Sequence, residues 1–375
     1  MKYIQKIKTP ICKEEQKTLV FNRHFKSLSN SLQNKNGLKM FEQKDEIVWV
    51  NPKAKKGSKN LNFYAFNKRN WSKFNKFLGE VVDMEQNLKN KGVALDGVKS
   101  FNRNVWLDFS RESNAIEGIL DDFSYDLLDF RAQLRGKIAI DPSTKNFDRY
   151  EYFKKLYEQY KMVEQKNDTV IIDGKSKKHK ISMELCSQFI AFKYAYKCAK
   201  KDRFEEISKQ DLIDMILYVN ALLSGNEYGR FRNEQRYVKG GGTGANWSPV
   251  EPDKISEKID ALCAWATDSK QSGNLHPVEK AAIFHAEFER IHPFADGNGR
   301  TGRIISNYIL MKNDMPTVSI GYKNRQEYFN AVNKAIETHD AEDLIKIFAR
   351  GVESSGLQIK KCLRHIETTH KEKTK

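Results

Sequence analysis

No apolar run in this sequence approaches the roughly 18 residues that a membrane-crossing helix needs. The opening stretch, Met1 to Pro10, lacks the apolar segment of a secretory leader. These two absences lead to the expectation of a cytoplasmic chain with no membrane partner. Cysteine is sparse: Cys12, Cys186, Cys198, Cys263 and Cys362 are scattered and odd in number. Their spacing fits neither a disulfide framework nor a metal-binding set, so reduced and mostly buried thiols are expected. Acidic residues are the minority charge, 49 against 65 Lys and Arg, giving a formal net charge of +16. Positive charge favours polyanions such as nucleic acid, ATP or acidic protein faces. No arginine-rich helix or nucleic-acid motif accompanies it, so a solvated lysine-rich surface is the plainer reading. Internal repeats are also lacking. With 39% hydrophobic and 30% charged residues the chain is not of the disordered class, and 375 residues suffice for a substantial core.

What the sequence does have is helical periodicity. Residues 1–100 are the least patterned and are treated as an accessory region of mixed α/β character. There Glu46–Val50 and Leu61–Phe66 could pair as strands across Pro52–Lys59, and Trp71–Leu88 reads as a helix. Phe147, Tyr150, Phe153, Tyr157 and Tyr160 form one stripe of a helix over Phe147–Val163, and Ile171–Gly174 reads as a hairpin turn. Ser208 with Asp211 has the spacing of a helix N-cap, Leu212 to Leu223 follow on one face, and Gly225 ends the helix. Ile255 to Ala266 and Pro277 to Glu289 give two more helices, the second with Pro in its first turn. Helices near Arg325–His339 and Ala341–Cys362 complete an all-α class with small β elements. Residues 101–355 are taken as the main domain and 356–375 as a basic tail, frayed beyond Glu367.

The chemistry is concentrated in residues 292–303, His-Pro-Phe-Ala-Asp-Gly-Asn-Gly-Arg-Thr-Gly-Arg. A helix ends near Glu289 and another begins within 297–303. Gly297, Asn298 and Gly299 permit a close backbone approach, and free N–H groups at a helix start bind anions. Arg300 and Arg303 are three apart and can face one ligand, with guanidinium geometry suited to phosphate oxygens. Asp296 at the edge of this cradle is the kind of lone carboxylate that holds Mg²⁺ beside phosphates. His292 stands where a neutral imidazole could take a proton from an incoming hydroxyl. Base, carboxylate, anion cradle and two arginines together read as a phosphoryl-type transfer site. Two other motifs fail. Arg300 stands where an EF-hand needs its third acidic ligand, and Thr169 occupies the first-glycine place of a Walker match ending at Gly174-Lys175-Ser176.

Residues 292–303 resemble the Fic family motif, His-x-Phe-x-Asp/Glu-Gly-Asn-Gly-Arg-x-x-Arg, with every specified position met. The resemblance extends over roughly 105–355. It implies a helical Fic fold with a small β-hairpin flap, and adenylyl transfer from ATP to a Tyr, Thr or Ser hydroxyl of a target protein or of the enzyme itself. In those terms His292 is the base and Asp296 holds Mg²⁺ or Mn²⁺. Gly297, Asn298 and Gly299 hold phosphates through the backbone, Arg300 and Arg303 neutralise them, and Phe294 is a buried anchor. The flap corresponds to Gly229–Trp247, whose Gly240–Gly244 centre departs from the usual pattern. Tyr328 and Phe329 are candidates for the adenine pocket. Ile336 falls where some relatives carry a polar residue, so a nucleotide other than ATP stays open.

Upstream, Ser113-Asn-Ala-Ile-Glu117-Gly118 is similar to the family's inhibitory motif, Ser/Thr-x-x-x-Glu-Gly/Asn. Ser113 and Glu117 are four apart on one face of a helix near 108–118, and Gly118 suits its end. Glu117 would pair with Arg303 in the place of a γ-phosphate. Alternatives stay open: the same glutamate could orient water for AMP removal, another nucleotide could be transferred, or the charge could serve a non-enzymatic nucleic-acid-binding regulator. The resemblance also implies pairing into a homodimer as an arrangement able to gate the inhibitory helix.

Overall fold

The computed structural model describes residues 71–119, 154–155, 157–158, 176–202, 206–225, 229–239, 246–268, 272 and 275–373. The strands expected at Glu46–Val50 and Leu61–Phe66, the turn at 171–174, the glycines at 240–244 and Cys12 lie outside the described residues. Of the aromatic stripe at 147–163, Lys154, Lys155, Tyr157 and Glu158 are described, and they are helical.

In chain order the helices are α1 (Ser72–Asn90), α2 (Asp96–Ile116), α3 (Ser176–Asp202), α4 (Lys209–Ser224), α5 (Ile255–Thr267), α6 (Pro277–Ile291), α7 (Asn298–Lys312), α8 (Arg325–Thr338) and α9 (Glu342–Lys373). Between α4 and α5 two short strands, β1 (Val238–Lys239) and β2 (Asn246–Trp247), pair antiparallel with Val238 opposite Trp247. The all-α class with one small hairpin is therefore observed.

Local chemistry sets the helix ends. Asp211 N–H donates to Ser208 Oγ at 3.0 Å while Ser208 N–H donates to the Asp211 carboxylate at 3.3 Å, a reciprocal cap at the start of α4. Gly225 closes that helix in the left-handed conformation, φ 71°. At the start of α6, Val278 N–H donates to His276 Nδ1 at 3.2 Å, and Pro277 takes the position that has no N–H to satisfy. The His276 ring stacks on Trp71 at 3.9 Å, and the Trp71 indole N–H donates to Glu279 at 3.1 Å. These contacts tie α1 to the head of α6.

Helix α7 is the centre of the bundle, packed by α6, α3, α4 and α2. Almost every residue from Arg300 to Met311 is buried, polar ones included. A helix enclosed on all sides must satisfy its polar side chains internally. Asn307 does so by donating to the Arg303 and Val318 carbonyls, both at 3.0 Å, and accepting from Val318 N–H at 2.7 Å. Ser306 returns its hydroxyl to the Gly302 carbonyl at 2.8 Å.

Two expected boundaries differ from the observed elements. The division at 100/101 falls inside α2, which runs unbroken from Asp96 to Ile116. The segment expected as a frayed tail continues α9 to Lys373. Its apolar face explains the extension: Leu363 is fully buried with Val81, Leu88, Val93 and Val98 in a second core, flanked by Ile359 and Ile366. Cys186, Cys198 and Cys263 are buried and Cys362 is half-buried. Among the described residues no helix is long and apolar enough to cross a membrane. Leu363→Ala is expected to destabilise the protein by about 2–5 kcal/mol. Denaturant unfolding checks the loss, and hydrogen exchange should place the added opening in α1 and the end of α9.

Candidate active site

Helix α6 ends at His292, which adopts φ 51°, ψ 60° and donates its backbone N–H to Phe288 O at 2.9 Å. A left-handed conformation at a non-glycine residue is uncommon and persists only where the surroundings enforce it. Here Arg232 enforces it. Its buried guanidinium donates to the His292 carbonyl at 2.8 Å, to the Glu234 carbonyl at 2.9 Å and to the Val250 carbonyl. The Arg232 N–H donates to the Pro293 carbonyl at 2.8 Å. The segment leading into the hairpin is thus bolted to the turn that carries His292. Trp247 of β2 meets the His292 ring edge-on at 5.6 Å. Gly229 opens this segment because the backbone passes against α4: a Cβ there would lie 2.4 Å from Leu217 O.

The loop after His292 is closed by its own side chains. Asn298 accepts from Phe294 N–H and donates to Phe294 O, both at 2.8 Å. Phe294 is buried against Phe231 and Phe288. Gly297 takes φ 76° and caps α7, and Asn220 of α4 donates to the Asp296 carbonyl at 3.0 Å. The amide of Asn298 therefore shapes the loop, which leaves the backbone at the start of α7 as the part that can face an anion. The Asp296 side chain is 86% exposed and accepts from Gly297 N–H at 2.7 Å.

Both arginines are buried and engaged. Arg300 pairs with Glu184 of α3 and with Asp296 at 3.3 Å. Arg303 donates to Ser113 Oγ at 2.9 Å, to Ser113 O at 3.0 Å, to Glu117 Oε1 at 2.6 Å and to the Tyr328 hydroxyl at 3.3 Å. Ser113 and Glu117 do stack on one face of α2, and that face meets α7. Gly118, φ 72°, follows the helix end. Gly299 gives Glu117 its room: a Cβ there would lie 2.3 Å from Glu117 Oε1. The carboxylate thus lies against the first turn of α7, where the helix dipole favours negative charge.

Tyr328 is 2% exposed and stands behind Arg303, its hydroxyl shared with His285 Nε2 at 2.6 Å. Phe329 is half-buried against the Tyr328 ring. His285 is fully buried, a supporting side chain of the core.

These geometries can be set beside known proteins. Residues 210–310 match the Fic/DOC family. That match runs from the first turn of α4 into α7 and contains the whole 292–303 loop. The chain is 34% identical over 149 residues to a protein adenylyltransferase Fic of Nematostella vectensis, which covers 40% of this chain and 33% of the relative. It is 32% identical over 151 residues to a protein adenylyltransferase of Caenorhabditis elegans, covering 40% of this chain and 28% of the relative. The chain thus spans about a third of the length of these curated relatives. The fold resembles a Fic-domain-containing signalling protein from Bacteroides thetaiotaomicron, with a TM-score of 0.54 at 17% identity over 77% of this chain and 98% of that one.

Within the segment that matches the Fic/DOC family, burial decides the protonation states. It holds the His292 imidazole down at about 4, so the ring is neutral near pH 7. Burial also keeps His285 down at about 3. The opposite holds for Glu289 on α6: burial raises its carboxyl to about 8, the nearby Glu117 charge adds to this, and Arg303 opposes it. Sequence reasoning passed over Glu289, Glu184 and Asn220 as parts of the site, and placed Arg232 and Trp247 in the flap without a contact to His292. Asn220 left a trace, a polar residue on the apolar side of α4. Glu184 left none, being 116 residues from its partner.

Between about 4.5, the ordinary carboxyl value, and about 8, the folded protein keeps a proton on Glu289 that the unfolded chain has released. This residue therefore makes stability fall as pH rises through that window. Glu289→Gln is expected to flatten this dependence, with a larger gain in urea midpoint at pH 8 than at pH 5. An equal change at both pH values would contradict the assignment.

Proposed function

We propose that this chain is a protein adenylyltransferase, moving AMP from ATP to a side-chain hydroxyl of a protein, and that Glu117 restrains it. The observation that carries the reading is His292 held beside the start of α7, whose buried Arg303 is already paired with a carboxylate. The relatives' adenylyltransferase names support AMP as the group transferred.

His292 takes the proton of the acceptor hydroxyl. That oxygen forms a bond to the α-phosphorus of ATP while the bond to the bridging oxygen of pyrophosphate breaks. The backbone at Gly297–Gly299 and the guanidinium groups of Arg300 and Arg303 hold the departing phosphates. The strand pair Val238–Lys239 and Asn246–Trp247 brings Trp247 next to His292 and is suited to line up a target segment by strand addition. Phe329 is a candidate wall for the adenine, whereas Tyr328 serves by holding Arg303.

Asp296 is the carboxylate for Mg²⁺ or Mn²⁺. Among the described residues no group of three or more His, Cys, Asp or Glu could hold a metal. Asp296, an exposed carboxylate, would hold such an ion together with phosphate oxygens and water. The ion's contribution is charge neutralisation on the phosphates.

With Glu117 on Arg303, the phosphate tail cannot reach that guanidinium and the α-phosphorus is not in line with the acceptor. The carboxylate beside the phosphate site also supports a second reading, in which Glu117 orients water to remove AMP from a modified target.

Label from α-phosphate-labelled ATP with Mg²⁺ tests the reading in wild type, Glu117→Gly and Glu117→Gly/His292→Ala, each alone and with cell lysate. The expected result is weak labelling by wild type, strong labelling by Glu117→Gly, and a loss of about 10²-fold or more in the double variant. Wild type as fast as Glu117→Gly would remove the brake. No label in any sample, with ATP binding verified, would favour hydrolysis or another nucleotide.

A further inference from the structure

Behind the base lies a carboxyl group that the transfer step has not used. Glu289 is one turn before His292 on α6 and only 7% exposed. Its Oε2 lies 3.7 Å from His292 Nδ1, and its Oε1 lies 3.9 Å from His285 Nε2. Oε1 is buried with no hydrogen-bond partner among the described residues. A buried carboxyl oxygen without a partner is costly and calls for an explanation. The groups facing Glu289 come from four helices. They are Glu117 at the end of α2, Arg303 on α7, Tyr328 on α8, and His285 with His292 on and after α6 itself. His292 Nδ1 is buried on the Glu289 side of the ring. That leaves Nε2 as the nitrogen for the acceptor.

We propose that Glu289 is a positioning residue for His292, its ionised carboxylate closing on the Nδ1 proton as the ring becomes imidazolium, and that Glu117 suppresses this support while it occupies the site. The inference rests on the adenylyl-transfer reading above. The proton balance is simple. The acceptor hydroxyl gives its proton to Nε2 as its oxygen bonds to the α-phosphorus and pyrophosphate leaves. The imidazolium then carries a proton on each nitrogen, and the Nδ1 proton faces an ionised Glu289. The coupling to the brake is electrostatic. The negative charge of Glu117 favours the protonated, neutral form of Glu289, and a neutral acid does little for an imidazolium. Withdrawing Glu117 removes that charge, so Glu289 ionises at lower pH. One carboxylate would thus block the phosphate site and silence the base together.

Two measurements on the full chain test this. The first is ¹⁵N-imidazole NMR of His292 across pH 5–10, in wild type, Glu117→Gly and Glu289→Gln. The His292 ring should report a second titration on the alkaline side in wild type, at lower pH in Glu117→Gly, and absent in Glu289→Gln. The second is the pH profile of labelling in Glu117→Gly with and without Glu289→Gln. The added substitution should lower kcat on the order of tenfold at pH 8, leave KM for ATP within about twofold, and abolish the rising limb. A His292 titration unchanged by Glu289→Gln would overturn the proposal. So would a rate loss that leaves the limb in place, because a packing defect has no pH signature. If Glu117→Gly gives no label at any pH, the adenylyl-transfer reading fails, and the His292 titration alone then decides the role of Glu289.

Discussion

Arg303 is 3% exposed in the middle of a helical bundle, and a guanidinium keeps its charge wherever it is put. A permanent charge in that position has to be surrounded by acceptors, since leaving one partner out costs several kcal/mol. Much of the surrounding architecture follows from this need. Helix α2 contributes the Ser113 hydroxyl and carbonyl and the Glu117 carboxylate, and α8 contributes the Tyr328 hydroxyl. Tyr328 is in turn held by His285 of α6. Four helices are therefore registered to one another through a single side chain of α7. Three of Arg303's acceptors are fixed parts of the fold. Glu117, at a helix end next to a glycine, is the acceptor at the rim, with a side chain 33% exposed.

The loop from His292 to Gly299 follows the same logic at shorter range. Its turn needs a left-handed His292 and a left-handed Gly297. Neither conformation is left to chance: Arg232 grips the first from the hairpin side, and Asn298 and Asn220 close the second. His292, the backbone at the start of α7 and both arginines are thus held in place by the protein's own contacts. The segment leading into the hairpin supplies Arg232 to this turn, and β2 supplies Trp247 against the His292 ring.

The parts legible in the sequence were those written within a few residues of one another. The periodic apolar faces of α4 to α8 gave the helical class. The dense 292–303 loop gave the turn that gathers His292, Asp296, Arg300 and Arg303, and the spacing of Ser113 and Glu117 gave a shared face on α2. Apart from the Glu117–Arg303 pair, which the family resemblance supplied, what stayed hidden was long-range pairing. Glu184 and Arg300, or Tyr328 and Arg303, meet only because helices pack, and no local pattern encodes that. Tyr328 illustrates the limit: an aromatic residue near the site reads as a candidate adenine wall, yet its hydroxyl is spent inside the core. The end of α9 was misjudged for a related reason. Its charged residues are on show in the sequence, while the face carrying Ile359, Leu363 and Ile366 has value only once α1 is there to cover it.

The ion pair between Glu117 and Arg303 is also asymmetric in a way that bears on reversibility. The arginine is 3% exposed at its side chain, but the glutamate is 33% exposed. A carboxylate that deep in the core would have to cross an apolar barrier to leave. One at the rim can exchange its acceptor role for water with a small desolvation change. A tethered carboxylate also has a high effective concentration at its site. Rim exposure and tethering therefore oppose each other: the first eases exchange of the carboxylate for water, and the second returns it to Arg303. Helix α2 also packs on α9, which in turn covers α1, so a chain of contacts runs from the Glu117–Arg303 pair to the far face of the bundle.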